Sequence, residues 1–204
     1  TIQFSLEKEG FRITYLRLIR RNSWYRGPEE CTWWWDNTCF SKCIVNNEIG
    51  AVEPIEEIGH IIKDYNPDIV YHVDAIQAYG KYKIYPKKLG IDLLSVSGHK
   101  IHGPKGSGFL FINDKTRIKP IIYGGGQQKG MRSGTENVAG IAGMEQAAIQ
   151  SIKNMSYRMQ KEQYLRNYLI NRVMNEIDDV KLNGHKFKRL PGNANFSFKK
   201  YKRC

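Results

Sequence analysis

Apolar and polar positions change rhythm several times along the chain, and those changes predict its elements. Ile55, Ile58, Ile62 and Tyr65 recur at three-to-four spacing, the single apolar stripe of an amphipathic helix. Pro54 stands where a helix start tolerates proline, and Glu56 and Glu57 fall in the first turn, where the helix dipole favours carboxylates. Asn66-Pro67-Asp68 ends that helix. Short apolar runs at 69–73, 91–96 and 108–112 predict strands, the first stopping at Asp74 and the second at Ser97. From about Glu136 a long helical stretch begins. Ile141, Met144, Ala148, Ile152, Met155 and Met159 form one stripe, Glu162 interrupts it, and Leu165, Leu169, Val173 and Ile177 resume it, which predicts a helix packed on a core. Residues 11–16 can begin as a strand, and 193–198 alternate like a strand of a second domain. Helix, strand, turn and strand in succession is the pattern of an α/β protein, in which ligands collect outside the carboxyl ends of the strands.

Residues 17–43 break this order. They read RLIRRNSWYRGPEECTWWWDNTCFSKC and hold all four tryptophans, Trp24, Trp33, Trp34 and Trp35. Three of the four cysteines lie there too, and no helix or strand period emerges until Ile44. The spacing of Cys31, Cys39 and Cys43 matches no usual zinc pattern, so no metal site is expected.

Charge first points to an acidic partner. The 204 residues carry 32 basic and 20 acidic side chains, a net charge of +12. Its distribution argues otherwise. Five arginines (Arg12, Arg17, Arg20, Arg21, Arg26) and no acid fall in residues 12–26, and seven basic residues and no acid fall in 183–204, so the rest of the chain is neutral. A hydrophobic content of 41% is too high for a disordered chain. No apolar run approaches the length of a membrane span, and the first residues lack a signal-peptide core, so a cytoplasmic protein is expected.

Three clusters could carry chemistry: YHVDAIQ (71–77), SVSGHKIHGPKG (95–106) and GGGQQKGMRSGT (124–135). Ser97-Gly98-His99-Lys100 directly follows a predicted strand, offering backbone N–H groups, a hydroxyl and an imidazole to an anion such as phosphate. A lysine fixed beside such a turn can bond covalently to a carbonyl compound. Asp74 sets a carboxylate at the end of a neighbouring strand, where a protonated pyridine nitrogen is one possible partner. Each signal alone has a plainer reading: a strand-end aspartate caps helices, a lysine in a glycine-rich loop is solvated, and three glycines make a flexible turn. Their joint order suggests pyridoxal phosphate.

That order resembles the cysteine desulfurases of iron–sulfur cluster assembly, within the class-V group of pyridoxal-phosphate-dependent aminotransferases. The matching pieces are VNNEIG, HVDAIQ, SVSGHKIHGPKG and GGGQQKGMRSGTEN, with RLPGNANFSF (189–198) and, more weakly, LEKEGFRITYL (6–16) beyond them. The resemblance implies transferase fold type I, an α/β architecture. Residues 1–156 would be a partial large domain with a mostly parallel sheet (17–43 aberrant), and residues 157–204 a long helix and the beginning of a small C-terminal domain. By the same resemblance Lys100 is the lysine that holds the cofactor covalently. Asp74 pairs with the ring nitrogen, Gln77 with the ring hydroxyl, and Ser97 and His99 with the phosphate. Asn47 lies near the ring hydroxyl and the substrate. Thr135 reaches the phosphate in a neighbouring subunit, which implies a homodimer.

The implied reaction takes L-cysteine to L-alanine and passes sulfur, as a persulfide, to an acceptor or scaffold protein. Neither nucleic acid nor membrane is an expected partner. In the family the sulfur-accepting cysteine lies on a loop after the RLPGN segment, and its glycine–threonine phosphate loop and ring-stacking histidine lie before the LEKEGF-like piece. Cys204 closes a lysine-rich tail, and Cys31, Cys39 and Cys43 precede the lysine motif, so none is read as the nucleophile. The composition of 17–43 suggests a reading-frame shift restored near Ile44, with a second break from Lys199. A sheet lacking its first strands predicts a poorly soluble or partly molten chain. The alternatives are an inactive fragment, a related class-V enzyme such as a selenocysteine lyase or an aminotransferase, and, from another class, a basic nucleic-acid-binding module.

Overall fold

The computed structural model describes residues 39–199 throughout and, before them, only five short pieces of strand backbone. These are β1 (Gln3–Phe4), β2 (Glu7–Lys8), β3 (Phe11–Arg12), β4 (Leu16–Arg17) and β5 (Trp35–Asp36). Of these, β1 pairs with β4 and β2 with β3, both antiparallel. Part of the expected strand over 11–16, Trp24, Trp33, Trp34, Cys31, three of the clustered arginines and the tail with Cys204 lie outside the described residues.

The main sheet has the order β5-β6-β7-β8-β9, with β6 (Cys39–Cys43), β7 (Val70–Asp74), β8 (Leu93–Ser97) and β9 (Gly108–Ile112). Strands β6, β7 and β8 are parallel, and antiparallel β5 and β9 flank them. Strand β6 corrects the sequence reading. Cys-Phe-Ser-Lys-Cys alternates in burial along its length, so a regular strand already occupies Cys39–Cys43, ahead of Ile44. The period of two was hidden because Lys42 takes an inward position that an apolar residue usually fills.

One face of the sheet makes the core. Phe40, Tyr71, Val73, Leu94 and Val96 point into it, and helix α1 (Ile55–Tyr65) lays Ile55, Ile58 and Ile62 against them. Tyr65, the fourth residue of the expected stripe, is instead exposed. Close approach of α1 depends on Gly59, where a Cβ would sit 2.5 Å from the Leu89 carbonyl oxygen. Asp92 ties the helix end to the sheet. Its Oδ2 accepts from Lys63 Nζ at 2.5 Å and from the Tyr71 N–H at 2.8 Å.

The long helical stretch breaks at Asn154 into α2 (Val138–Lys153) and α3 (Met155–Glu176). Of its expected apolar stripe, only Met144 is buried in the core. Ile141, Ile152, Leu165 and Leu169 are exposed, while Gly140, Met144, Ser151, Arg166 and Ile170 are buried. Small residues choose the inner side, because they allow backbones to meet. A Cβ on Gly143 would lie 2.7 Å from the Pro104 ring, and one on Gly80 would lie 2.8 Å from Ser151. Past α3, β10 (Val180–Leu182) and β11 (Phe196–Phe198) form an antiparallel pair of their own. No helix among the described residues is long and apolar enough to cross a membrane.

Candidate active site

The other face of β6, β7 and β8 is polar, and its carboxyl end gathers most of the residues singled out by the sequence. Asp74 closes β7 and Ser97 closes β8. A 3₁₀ turn, Gly98–Ile101, follows at once and carries His99 and Lys100, both exposed. Gly98 lets this turn fold back, since a Cβ there would meet Ser107 Oγ at 2.6 Å and Met144 at 3.2 Å. Ser97 Oγ and His99 Nδ1 are 2.7 Å apart, so hydroxyl and imidazole form one polar unit beside Lys100. Gln77 lies in the turn after β7, and Asn47 is exposed at the tip of the turn after β6. Thr135 is exposed on the segment leading into α2. Among the described residues no three metal-ligating side chains cluster.

The donor set fits pyridoxal phosphate. Asp74 is half-buried, with Oδ1 accepting from the Ile76 N–H at 2.8 Å. Its Oδ2 has no donor among the described residues, which leaves a carboxylate oxygen for a cationic ring nitrogen. Ser97, His99 and the backbone of the 3₁₀ turn supply hydroxyl, ring N–H and amide donors for a phosphate. Lys100 supplies the amine.

Three further residues line this face: Cys43, which the sequence reading set aside, and His72 and Ser95, which lay in the singled-out clusters without an assigned role. Cys43 pairs in register with Asp74, and Asp74 with Ser95, so thiol, carboxylate and hydroxyl form one row across the sheet. Chain order had set Cys43 far from the lysine motif, yet parallel pairing brings it beside Asp74. His72, one row deeper, bridges Ser41 (Nδ1 to Oγ, 2.7 Å) and Ser95 (Nε2 to Oγ, 3.2 Å). The alternation of CFSKC, YHVD and LLSVS, set side by side, is the signal that would have found all three.

Burial pushes the His72 pKa down, against a smaller upward pull from the Asp74 carboxylate. The unfolded chain therefore binds the His72 proton more readily than the folded one. Stability from this group is full above about pH 6.5, the free histidine value, and is lost as pH falls through the depressed folded value. The thermal midpoint should drop between pH 7.5 and pH 5, and His72→Gln should flatten that slope. Parallel slopes in the two proteins would show that His72 does not contribute.

Residues 5–203 match the family described as aminotransferase class-V. The chain belongs to the class-V aminotransferase family. Pyridoxal phosphate is the cofactor of its cysteine desulfurase members. Among curated proteins, this class-V chain is 45% identical over 195 residues to a cysteine desulfurase IscS of Dictyoglomus turgidum, covering 95% of the chain and 48% of that protein. It is also 45% identical over 201 residues to the cysteine desulfurase IscS of Clostridium botulinum strain Hall, covering 97% and 50%. A solved NifS-like protein superimposes with a TM-score of 0.76 at 37% identity, over 79% of this chain and 44% of that one. The architecture is thus a partial fold-type-I domain. The chain spans about half the length of the curated relatives it matches.

Proposed function

We propose that this class-V chain is the cofactor-holding part of a cysteine desulfurase. It would act on L-cysteine, release L-alanine and pass sulfur to an acceptor protein in iron–sulfur cluster assembly. One observation carries the reading: Asp74, Ser97, His99 and Lys100 sit at the carboxyl ends of adjacent parallel strands, in a chain similar over 95% of its length to cysteine desulfurases. Bound pyridoxal phosphate supplies an electron sink for the carbon bearing the substrate amine.

The chain's own residues would divide the remaining work. Lys100 holds the cofactor covalently and can carry a proton at Nζ. Asp74 Oδ2 holds the proton of the ring nitrogen, which keeps the ring electron-poor. Gln77 and Asn47 orient the ring hydroxyl, and Ser97 and His99 anchor the phosphate. Thr135 would serve the phosphate in a second subunit, so the reading carries with it a homodimer, and the expected setting is the cytoplasm.

The purified chain mixed with pyridoxal phosphate should develop the visible absorption band of a lysine-bound cofactor, and Lys100→Ala should abolish it. A band of equal size in Lys100→Ala, or none in the unsubstituted chain, would defeat the reading.

A further inference from the structure

The turn that carries Asn47 is held from outside by a distant part of the chain. Internally, Asn46 Oδ1 accepts from the N–H groups of Glu48 (2.9 Å) and Ile49 (3.0 Å). The Asn46 N–H donates to Ala51 O at 2.9 Å, and the Gly50 N–H donates to Asn46 O at 3.1 Å. Against this turn lies the strap 188–195. Leu190 N–H donates to Gly50 O (2.8 Å), Val52 N–H donates to Lys188 O (3.2 Å), and Ala51 and Arg189 form an antiparallel bridge.

Side chains of the strap add a second set of bonds. Asn193 Nδ2 and Asn195 Nδ2 both donate to Glu48 O, at 3.1 and 3.2 Å. Arg189 Nη2 donates to Ile49 O at 3.3 Å and to Asn183 O, and its Nε donates to His185 O at 3.0 Å. The side-chain bonds to the turn and the bond from Leu190 fall on the carbonyls of Glu48, Ile49 and Gly50, the three residues directly after Asn47. Gly50 has φ +70°, and a Cβ on it would lie 2.4 Å from Asn193 Oδ1, so the strap fits only this backbone shape. Helix α3 fixes the strap in turn, because Arg166 Nη1 donates to Leu190 O at 3.1 Å.

The apolar side chain of Leu190, buried in the core, already supplies packing. Two buried guanidinium groups and two amides go further, since desolvating them is costly unless they are hydrogen-bonded, and here their bonds run to the backbone of the strap and of the turn. We propose that Arg189, Asn193 and Asn195 are positioning residues that set the 46–50 turn and thereby aim Asn47 at the cofactor. This rests on the reading of Asn47 given above.

The test uses the full chain, with Asn193→Ala/Asn195→Ala, Asn47→Ala and the triple variant. Without cofactor, amide hydrogen exchange at Asn46, Ile49 and Gly50 should speed up about tenfold in the double variant, the effect of losing roughly one net hydrogen bond. Exchange in α1 and β7 should stay unchanged. With pyridoxal phosphate, the apparent Kd from the Lys100-dependent band should rise about tenfold in the double variant. It should change less than twofold when the same substitutions are made on Asn47→Ala. Unchanged exchange in the turn, or an equal loss of affinity with and without Asn47, overturns the proposal. If the double variant does not fold, Asn195→Ala alone serves, because Asn193 still holds Glu48 O. Absence of any band in the unsubstituted chain removes the role of Asn47, and the exchange result then decides whether the strap holds the turn.

Discussion

Replacing Glu53 by glutamine should destabilise the chain by about 3 kcal/mol or more, whereas replacing Lys42 by methionine and Glu53 by leucine together should leave it unchanged or make it about 1–4 kcal/mol more stable. Lys42 occupies an inward position of β6, beside Val73 and one residue beyond Ser41, and its side chain is only 4% exposed. Its ammonium meets Glu53 Oε1 at 3.0 Å, and the Glu53 side chain is 15% exposed. Solvent therefore screens the pair weakly. Removing the carboxylate alone takes the counter-charge from a buried cation, while replacing both members by apolar residues of similar size removes both charges and refills the same space. The Tyr71 hydroxyl adds to the asymmetry. Burial, and then the charge of Glu53, push its pKa up, so it stays neutral and donates to Ile55 O at 3.2 Å. Urea unfolding of the single and the double variant measures the contrast, and a loss below about 1 kcal/mol in Glu53→Gln would show that the pair acts as a surface bridge.

Lys42 also explains how far the fold could be read from the sequence. The stripe of Ile55, Ile58 and Ile62 and the strand ends at Asp74 and Ser97 were legible because their apolar periods are uninterrupted. Strand β6 was not, since a lysine at an inward position and a setting of tryptophans and cysteines masked its alternation. In α2 and α3 most of the strongest stripe, Met144 apart, pointed outward. There the packed side is chosen by Gly140, Gly143 and Ser151, which hydrophobicity counting passes over, and by Arg166, which is buried on carbonyl acceptors. The candidate site was legible in its strand-end residues, because a motif that follows a strand is carried to the sheet's carboxyl edge by topology alone. Its lateral neighbours Cys43, His72 and Ser95 depend on register between strands, which one sequence does not display. The strap's side-chain contacts to the turn span 140 residues and more of chain and were equally invisible.

Asp74→Asn should weaken binding of pyridoxal phosphate about a hundredfold, with a thermal midpoint close to that of the unsubstituted chain. The amide can keep the bond that Asp74 Oδ1 accepts from the Ile76 N–H at 2.8 Å, so the turn after β7 survives. What disappears is the charge on Oδ2, which has no donor among the described residues. A charge-assisted bond to a protonated ring nitrogen is roughly twice as strong as a neutral one, and losing one partner of such a pair costs about 2–5 kcal/mol. Its register partners, Ser95 and Cys43, offer a hydroxyl and a thiol rather than a second carboxylate. Titrating the visible band of the bound cofactor gives the affinity, and circular dichroism gives the midpoint. A near-normal affinity in Asp74→Asn would mean that the ring nitrogen is not held by this carboxylate, and that Asp74 serves only to shape the turn it caps.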